Sequence, residues 1–282
     1  MKNVDAVFAR AEKLLERFER LLPAELETDW EGIAYRWVAK KGLVRVNHPH
    51  AIRLENLKGI EMQKRRVEDN TLQFVKGHPA NNVLLTGARG TGKSSLVKAL
   101  LNRYASQGLR LIEVEKKDLV DLADIVEKIG DRPEKFILFC DDLSFDQEEG
   151  GYKELKVVLD GSVSTAPDNV LVYATSNRRH LMPEFMSENL ETKYLGDEIH
   201  PGETVEEKIS LSERFGLWIS FHPFDQEEYL KIVGHWLDHF QVKARRGARE
   251  AALQWALNRG SRSGRIAWQF ARDWAGREAS KG

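Results

Sequence analysis

Three glycines, a lysine and a hydroxyl stand together in Gly87-Ala88-Arg89-Gly90-Thr91-Gly92-Lys93-Ser94. Glycines at this spacing let a backbone take positive φ angles and turn its N–H groups inward around anionic oxygens. Lys93 has the reach for the outer phosphates of a nucleotide, and the Ser94 hydroxyl can hold Mg²⁺. The apolar run VLLT at 83–86 precedes the loop, and the helical SSLVKALLNRY follows from Ser94 and Ser95. The start of that helix adds a partial positive charge facing the same oxygens. Strand, loop, lysine, hydroxyl and helix in this order separate the segment from an ordinary glycine-rich turn. The chemistry it suits is the binding of a magnesium nucleoside triphosphate.

Two further strand ends carry polar groups. Phe136-Ile-Leu-Phe-Cys140 runs directly into Asp141-Asp142. An apolar strand ending in acid delivers a carboxylate beside a phosphate-bound metal. Asp141 takes the metal side with Ser94, and Asp142 polarises an attacking water. The competing reading is a pair of solvated acids, or a cap on the next helix. Cys140, inside the apolar run, reads as a small core residue rather than a redox group. Ala174-Thr-Ser-Asn177 ends another apolar run. Its amide can orient water beside a terminal phosphate; a turn-forming Asn is the alternative.

Buried strands must position these groups. VLLT at 83–86, LIEV at 111–114, FILFC at 136–140, VLVYA at 170–174 and LWISF at 217–221 are short apolar runs alternating with helical stretches. That texture predicts a parallel sheet flanked by helices. Ahead of it, Val4, Val7, Phe8, Ala11, Leu14, Leu15, Phe18, Leu21 and Leu22 mark one apolar helix face, stopped by Pro23. This helix either docks on its own domain or meets a partner. A short helix around Trp30, Tyr35 and Trp37 and an extended stretch near 48–54 are expected next. Between the last two strands, residues 185–209 read as a long loop with a short helix. From Asp225 the pattern is helical to the end. The expected division is a helical segment at 1–50, an α/β core at 51–224 and a helical C-terminal part at 225–282.

Composition narrows the class. Of 282 residues, 41% are hydrophobic, and 43 Lys and Arg balance 44 Asp and Glu to a net charge of -1, which argues against a generally polybasic nucleic-acid coat. A single cysteine excludes an internal disulfide framework and a multi-cysteine zinc site. No apolar run approaches the roughly 18 residues of a membrane helix, and the charged N-terminus has no signal-peptide core. A cytoplasmic protein without membrane contact is expected. The balance is a cancellation: residues 113–160 hold 15 acids and 7 bases, whereas 241–282 hold 10 bases and 3 acids. Solvated faces of one monomer account for this, as does a basic tail meeting an acidic face of the next subunit, or a nucleic-acid backbone.

The order of phosphate loop, acidic strand end, Asn-bearing strand end, Leu211-Ser-Glu-Arg-Phe-Gly216 box and basic helical tail resembles the AAA+ ATPase superfamily over roughly residues 50–275. More narrowly, GARGTGKSS, FILFCDDLSF, ATSNRRHLMPE, LSERFGLWISF and GSRSGR look like the domain-of-unknown-function 815 family of P-loop ATPases. The resemblance implies a five-stranded parallel sheet of order 5-1-4-3-2 with a C-terminal helical lid. It implies that Leu57 to Ile60, with Gly59 and Ile60 at its end, line the adenine pocket. It also implies that Arg214 is an arginine finger supplied in trans within a homo-oligomer, and that Arg265 reaches the phosphates from the lid, with Arg262 as the near alternative. A solvated or carboxylate-paired arginine is the rival reading at each position.

One departure bears on rate. Most AAA+ hydrolases carry Asp-Glu at the strand end, and here Asp142 is one methylene shorter. The expected function is a Mg²⁺- and ATP-binding ATPase that remodels or loads a macromolecular partner. The alternatives are a slowly hydrolysing switch or scaffold, and a helicase-loader-like ATPase near DNA. A GTPase is disfavoured because TSNR stands where a guanine-reading NKxD motif belongs, and a small-molecule kinase has no use for the Ser-Glu-Arg-Phe box.

Overall fold

Alternate residues of a strand point to opposite faces of its sheet, and in this chain both faces are covered. A computed structural model describes residues 28–144, 151–160, 167–177, 193–195, 198–200, 211–243 and 245–280. Its strands are β1 (Ala34–Val38), β2 (Gly42–Arg45), β3 (Val83–Gly87), β4 (Leu109–Glu113), β5 (Lys135–Cys140), β6 (Val170–Ser176), β7 (Lys193–Leu195), β8 (Glu198–His200) and β9 (Leu217–Phe221). Its helices of nine residues or more are α1 (Glu61–Val75), α2 (Lys93–Tyr104), α3 (Leu122–Gly130), α4 (Gly151–Asp160), α5 (Gln226–His239), α6 (Ala248–Asn258) and α7 (Gly264–Ala279).

The main sheet has the order β2-β1-β4-β5-β6-β3-β9, parallel throughout except for the β1–β2 pair. The five expected strands are all present. Numbered among themselves they stand in the order 5-1-4-3-2, as the resemblance implies. Val83 and Leu85 of β3, Ile137 and Phe139 of β5 and Tyr173 of β6 enter one core with α1, α2 and the C-terminal helices. Leu84, Leu138 and Val172 enter the other, with α3 and α4. Strands buried on both faces have no polar positions to spare, so they read as continuous apolar runs. Full burial of each such side chain stabilises the sheet by about 1.5–3 kcal/mol.

The sheet has seven strands, not five. The short helix expected around Trp30, Tyr35 and Trp37 is a hairpin: β1 pairs with β4 and with β2. Tyr35 and Trp37 are buried in one core while Arg36 between them is exposed and bonds Glu113 at 3.0 Å. That is the two-residue period of a strand, with positive φ at Lys40 and Gly42 turning the chain. The described part of residues 1–50 is therefore not helical, and the helix expected over 4–22 lies outside the described residues. Within 185–209, expected as a loop with a short helix, the described residues form an antiparallel ribbon of β7 and β8; the rest of that segment lies outside them.

The three C-terminal helices are present as expected. Asp225 caps α5 through a reciprocal box: its carboxylate accepts from the Glu228 amide at 2.8 Å, and the Glu228 side chain accepts from the Asp225 amide. The Ser263 hydroxyl caps α7 by accepting from the Ile266 amide. Tyr229, Ile232, Ala252 and Phe270 share a core with Leu96 and Val97 of α2, which seats these helices over the phosphate-loop side of the sheet. No helix among the described residues is long and apolar enough to cross a membrane.

Candidate nucleotide site

β6 lies between β5 and β3, so the segments that follow these strands emerge side by side at the carboxyl edge of the sheet. Ligand crevices of open parallel sheets form at that edge. Gly87 leaves β3 with φ 126°, and a Cβ there would lie 1.9 Å from the Phe221 carbonyl oxygen of β9. Only glycine fits between the loop and that strand. The Thr91 hydroxyl donates to the Ala88 carbonyl at 2.8 Å, tightening the loop, and Gly92 enters α2 with φ 105°. Ser94 and Ser95 follow in the first turn of α2.

Lys93 is buried, and its ammonium donates to Gly87 O at 2.6 Å, Ala88 O at 2.8 Å and Asn177 Oδ1 at 3.0 Å. Burial pulls its pKa below the usual lysine value, and the nearby Asp142 and Asp141 oppose that shift. Ser94 Oγ donates to Asp141 Oδ1 at 2.6 Å, so the hydroxyl and carboxylate expected at a metal already converge. Two hard oxygen donors with phosphate oxygens to complete the shell suit Mg²⁺, which is usually held by few protein groups.

Asp142 has a left-handed backbone with φ 54°, a conformation aspartate tolerates better than most residues. Asn177 Nδ2 donates to Asp142 Oδ1. Arg89 Nη2 lies 3.8 Å from Asp142 Oδ2. Asn177 therefore links Lys93 to Asp142, and Asp142 faces both the loop and the end of β6. Cys140 is fully buried on the sheet, and burial pushes its thiol up to about 12, as suits a core residue.

Sequence reasoning missed Thr175. Its hydroxyl donates to Asp141 Oδ1 at 2.6 Å and accepts from the Asp142 amide at 2.9 Å, holding both acids. The only signal was a hydroxyl inside an apolar strand, which needs a partner once buried.

Gly59, with φ 77°, packs against Phe224 and Ile232, and Ile60 and Leu57 reach toward Gly92. The segment expected at an adenine ring thus borders both the loop and α5. The start of α7 lies on the loop: the Gly264 amide donates to Gly90 O at 2.9 Å. Arg265 is exposed in the first turn of α7, and its Cβ lies 3.5 Å from where a Gly90 Cβ would stand. Arg262 is exposed just before the cap. Arg214 is engaged elsewhere, its Nε donating to Asp160 Oδ2 at 2.6 Å at the end of α4.

The strand order, the lysine-bearing loop behind the first core strand, the acids after the third and the Asn after the fourth give the chain a P-loop fold of the AAA+ type. Within that class, the chain belongs to the family described as Protein of unknown function (DUF815), whose model matches residues 31–278. A search of curated protein sequences returns no match. Among solved structures, the RuvB Holliday junction branch migration motor of Thermotoga maritima aligns with TM-score 0.52 at 18% identity, over 78% of this chain and 63% of that one. The FIGL-1 AAA domain in complex with ADP aligns with TM-score 0.51 at 19% identity, over 80% of this chain and 73% of that one. The Aeropyrum pernix ORC1 protein in complex with DNA aligns with TM-score 0.51 at 16% identity, over 80% and 62%. This chain therefore spans less than two thirds of the RuvB and ORC1 chains it matches. At these identities the likeness is one of fold.

Proposed function

We propose that the protein binds Mg²⁺ and ATP at the carboxyl edge of the sheet and hydrolyses ATP to drive a change in a macromolecular partner. The observation that carries this reading is the linked set at three strand ends, where Asn177 joins Lys93 to Asp142 while Ser94 joins Asp141. Backbone N–H groups of residues 87–92 and the start of α2 hold the phosphates, and Lys93 turns from its own loop carbonyls to the outer phosphates. Ser94 and Asp141 hold the metal, which neutralises charge on the phosphate oxygens when bound. Asp142 accepts a hydrogen bond from the attacking water, and Asn177 orients it. Gly59 and Ile60 line the base, and residues 225–282 act as a lid that brings Arg265 over the loop. Arg214 acts on the nucleotide of a neighbouring copy in a homo-oligomer.

A slowly hydrolysing switch is the second reading. Asp142 is shorter than glutamate, and both of its oxygens face partners, Asn177 and Arg89.

Steady-state phosphate release with Lys93→Ala as control tests the first reading. Turnover above the control supports it, and no turnover above the control, with ATP still bound by calorimetry, replaces it with the switch. Loss of both binding and turnover overturns the site. Purification of Asp142→Asn with ATP, followed by identification of bound partners, then tests for a client.

A further inference from the structure

Arg89 sits in the middle of the phosphate loop, where side chains are not required to hold phosphate because the backbone does so. Its side chain is 79% exposed, yet its guanidinium is directed toward the active-site acid: Nη2 lies 3.8 Å from Asp142 Oδ2. The other oxygen of that carboxylate is taken by Asn177, which in turn accepts from Lys93. Arg89, Asp142, Asn177 and Lys93 thus form one chain of charge and hydrogen bonds around the space where the terminal phosphate of the proposed nucleotide would lie.

An ion pair between two exposed groups contributes little. A guanidinium meeting a terminal phosphate finds several oxygens of higher charge, arranged to accept its parallel N–H donors. ADP lacks that group. We propose that Arg89 exchanges Asp142 for the terminal phosphate when ATP binds, so that arrival of ATP, and not of ADP, frees the carboxylate that must face water. This inference rests on the nucleotide reading given above and adds to it a cation supplied in cis by the loop itself. It also gives Asp142 a nucleotide-free partner at 3.8 Å that a phosphate can readily displace.

The test is equilibrium binding of a non-hydrolysable ATP analogue and of ADP, each with Mg²⁺, to the full chain. Arg89→Ala is expected to weaken the analogue about tenfold and ADP less than twofold. Because the side chain is largely exposed, the variant should fold, and an unchanged thermal midpoint checks this. Asp142→Asn is expected to tighten the analogue at least threefold in the parent chain and clearly less in the Arg89→Ala background. Equal losses for both nucleotides, no loss for either, or equal Asp142→Asn gains in both backgrounds would overturn the exchange. If the parent chain binds neither nucleotide, the nucleotide reading itself fails and this proposal with it.

Discussion

The Thr175 hydroxyl donates to Asp141 Oδ1 at 2.6 Å while accepting the Asp142 amide at 2.9 Å, so one side chain of β6 sets the position of both acids after β5. Strand pairing makes this possible, because Cys140 stands opposite Ala174 in the parallel register. Thr175→Val keeps the shape and removes both bonds, leaving the Asp142 amide without its partner. The expected loss is about 1–3 kcal/mol of stability, with a roughly tenfold higher Mg²⁺ midpoint for nucleotide binding. Thr175→Ser should recover most of both. An unchanged Mg²⁺ midpoint in Thr175→Val would show that the hydroxyl does not orient Asp141.

Gly90 joins the loop to α7. Its φ is 75°, and a Cβ would stand 2.7 Å from Ser263 Oγ and 2.9 Å from Ser263 Cβ. Gly90→Ala is therefore expected to cost about 1–2 kcal/mol from the left-handed backbone and to push the cap of α7 off the loop. Amide exchange at Gly264, protected by its bond to Gly90 O, should accelerate in the variant. Unaltered exchange would mean that the helix start does not depend on this contact.

Burial raises the Tyr173 phenol to about 12, against bonds to Thr71 and Asn70 that favour ionisation. Between pH 10 and 12 the unfolded chain ionises while the folded one stays protonated. The folded state then binds more protons, and stability falls as pH rises through that window. A shift of this size corresponds to about 3 kcal/mol, fully present below pH 10. Cys140 shifts in the same direction, so the comparison must be with Tyr173→Phe. That variant should lose about 1 kcal/mol at neutral pH and show a shallower decline in base. Parallel curves in denaturant titrations from pH 9 to 12 would refute this account.

Arg214 and Asp160 form a partly exposed pair at 2.6 Å. In the proposed function Arg214 serves a neighbour, and Asp160 holds it until then. Arg214→Ala should reduce turnover at least tenfold, and mixing with Lys93→Ala should restore part of it, since mixed contacts bring an intact Arg214 to an intact Lys93. Asp160→Ala should change stability by less than about 1 kcal/mol without lowering turnover. Absence of any recovery on mixing would place the action of Arg214 within its own chain.

Much of this architecture was legible locally. The five core strands are apolar runs because they are buried on both faces, and their order follows from the resemblance carried by the phosphate loop and the strand ends. The β1–β2 hairpin stands where a short helix around Trp30, Tyr35 and Trp37 is expected from sequence, because aromatic residues alone do not distinguish a helix from a strand. The alternation of buried Tyr35 and Trp37 with exposed Arg36 was the better signal. The Lys93, Ser94, Asp141, Asp142 and Asn177 set was readable because each residue sits at a strand end or helix start that its neighbours announce. Thr175 was not, because a threonine in a strand is ordinary until the opposite strand is known.

Spacing and chemical type alone determine that a strand ends in a glycine-rich loop, that a lysine and a hydroxyl open the next helix, and that acids and an asparagine end other strands. These are properties of neighbouring residues, set by backbone freedom and hydrophobic period. Which groups share partners was decided only by tertiary structure. The crossovers place β6 between β3 and β5, which brings Asn177 to Lys93 and Thr175 to Asp141. Packing of the C-terminal helices on the same core sets Gly264 against Gly90. Such contacts join residues far apart in the chain, where no local periodicity constrains them and only the closed core fixes the distance.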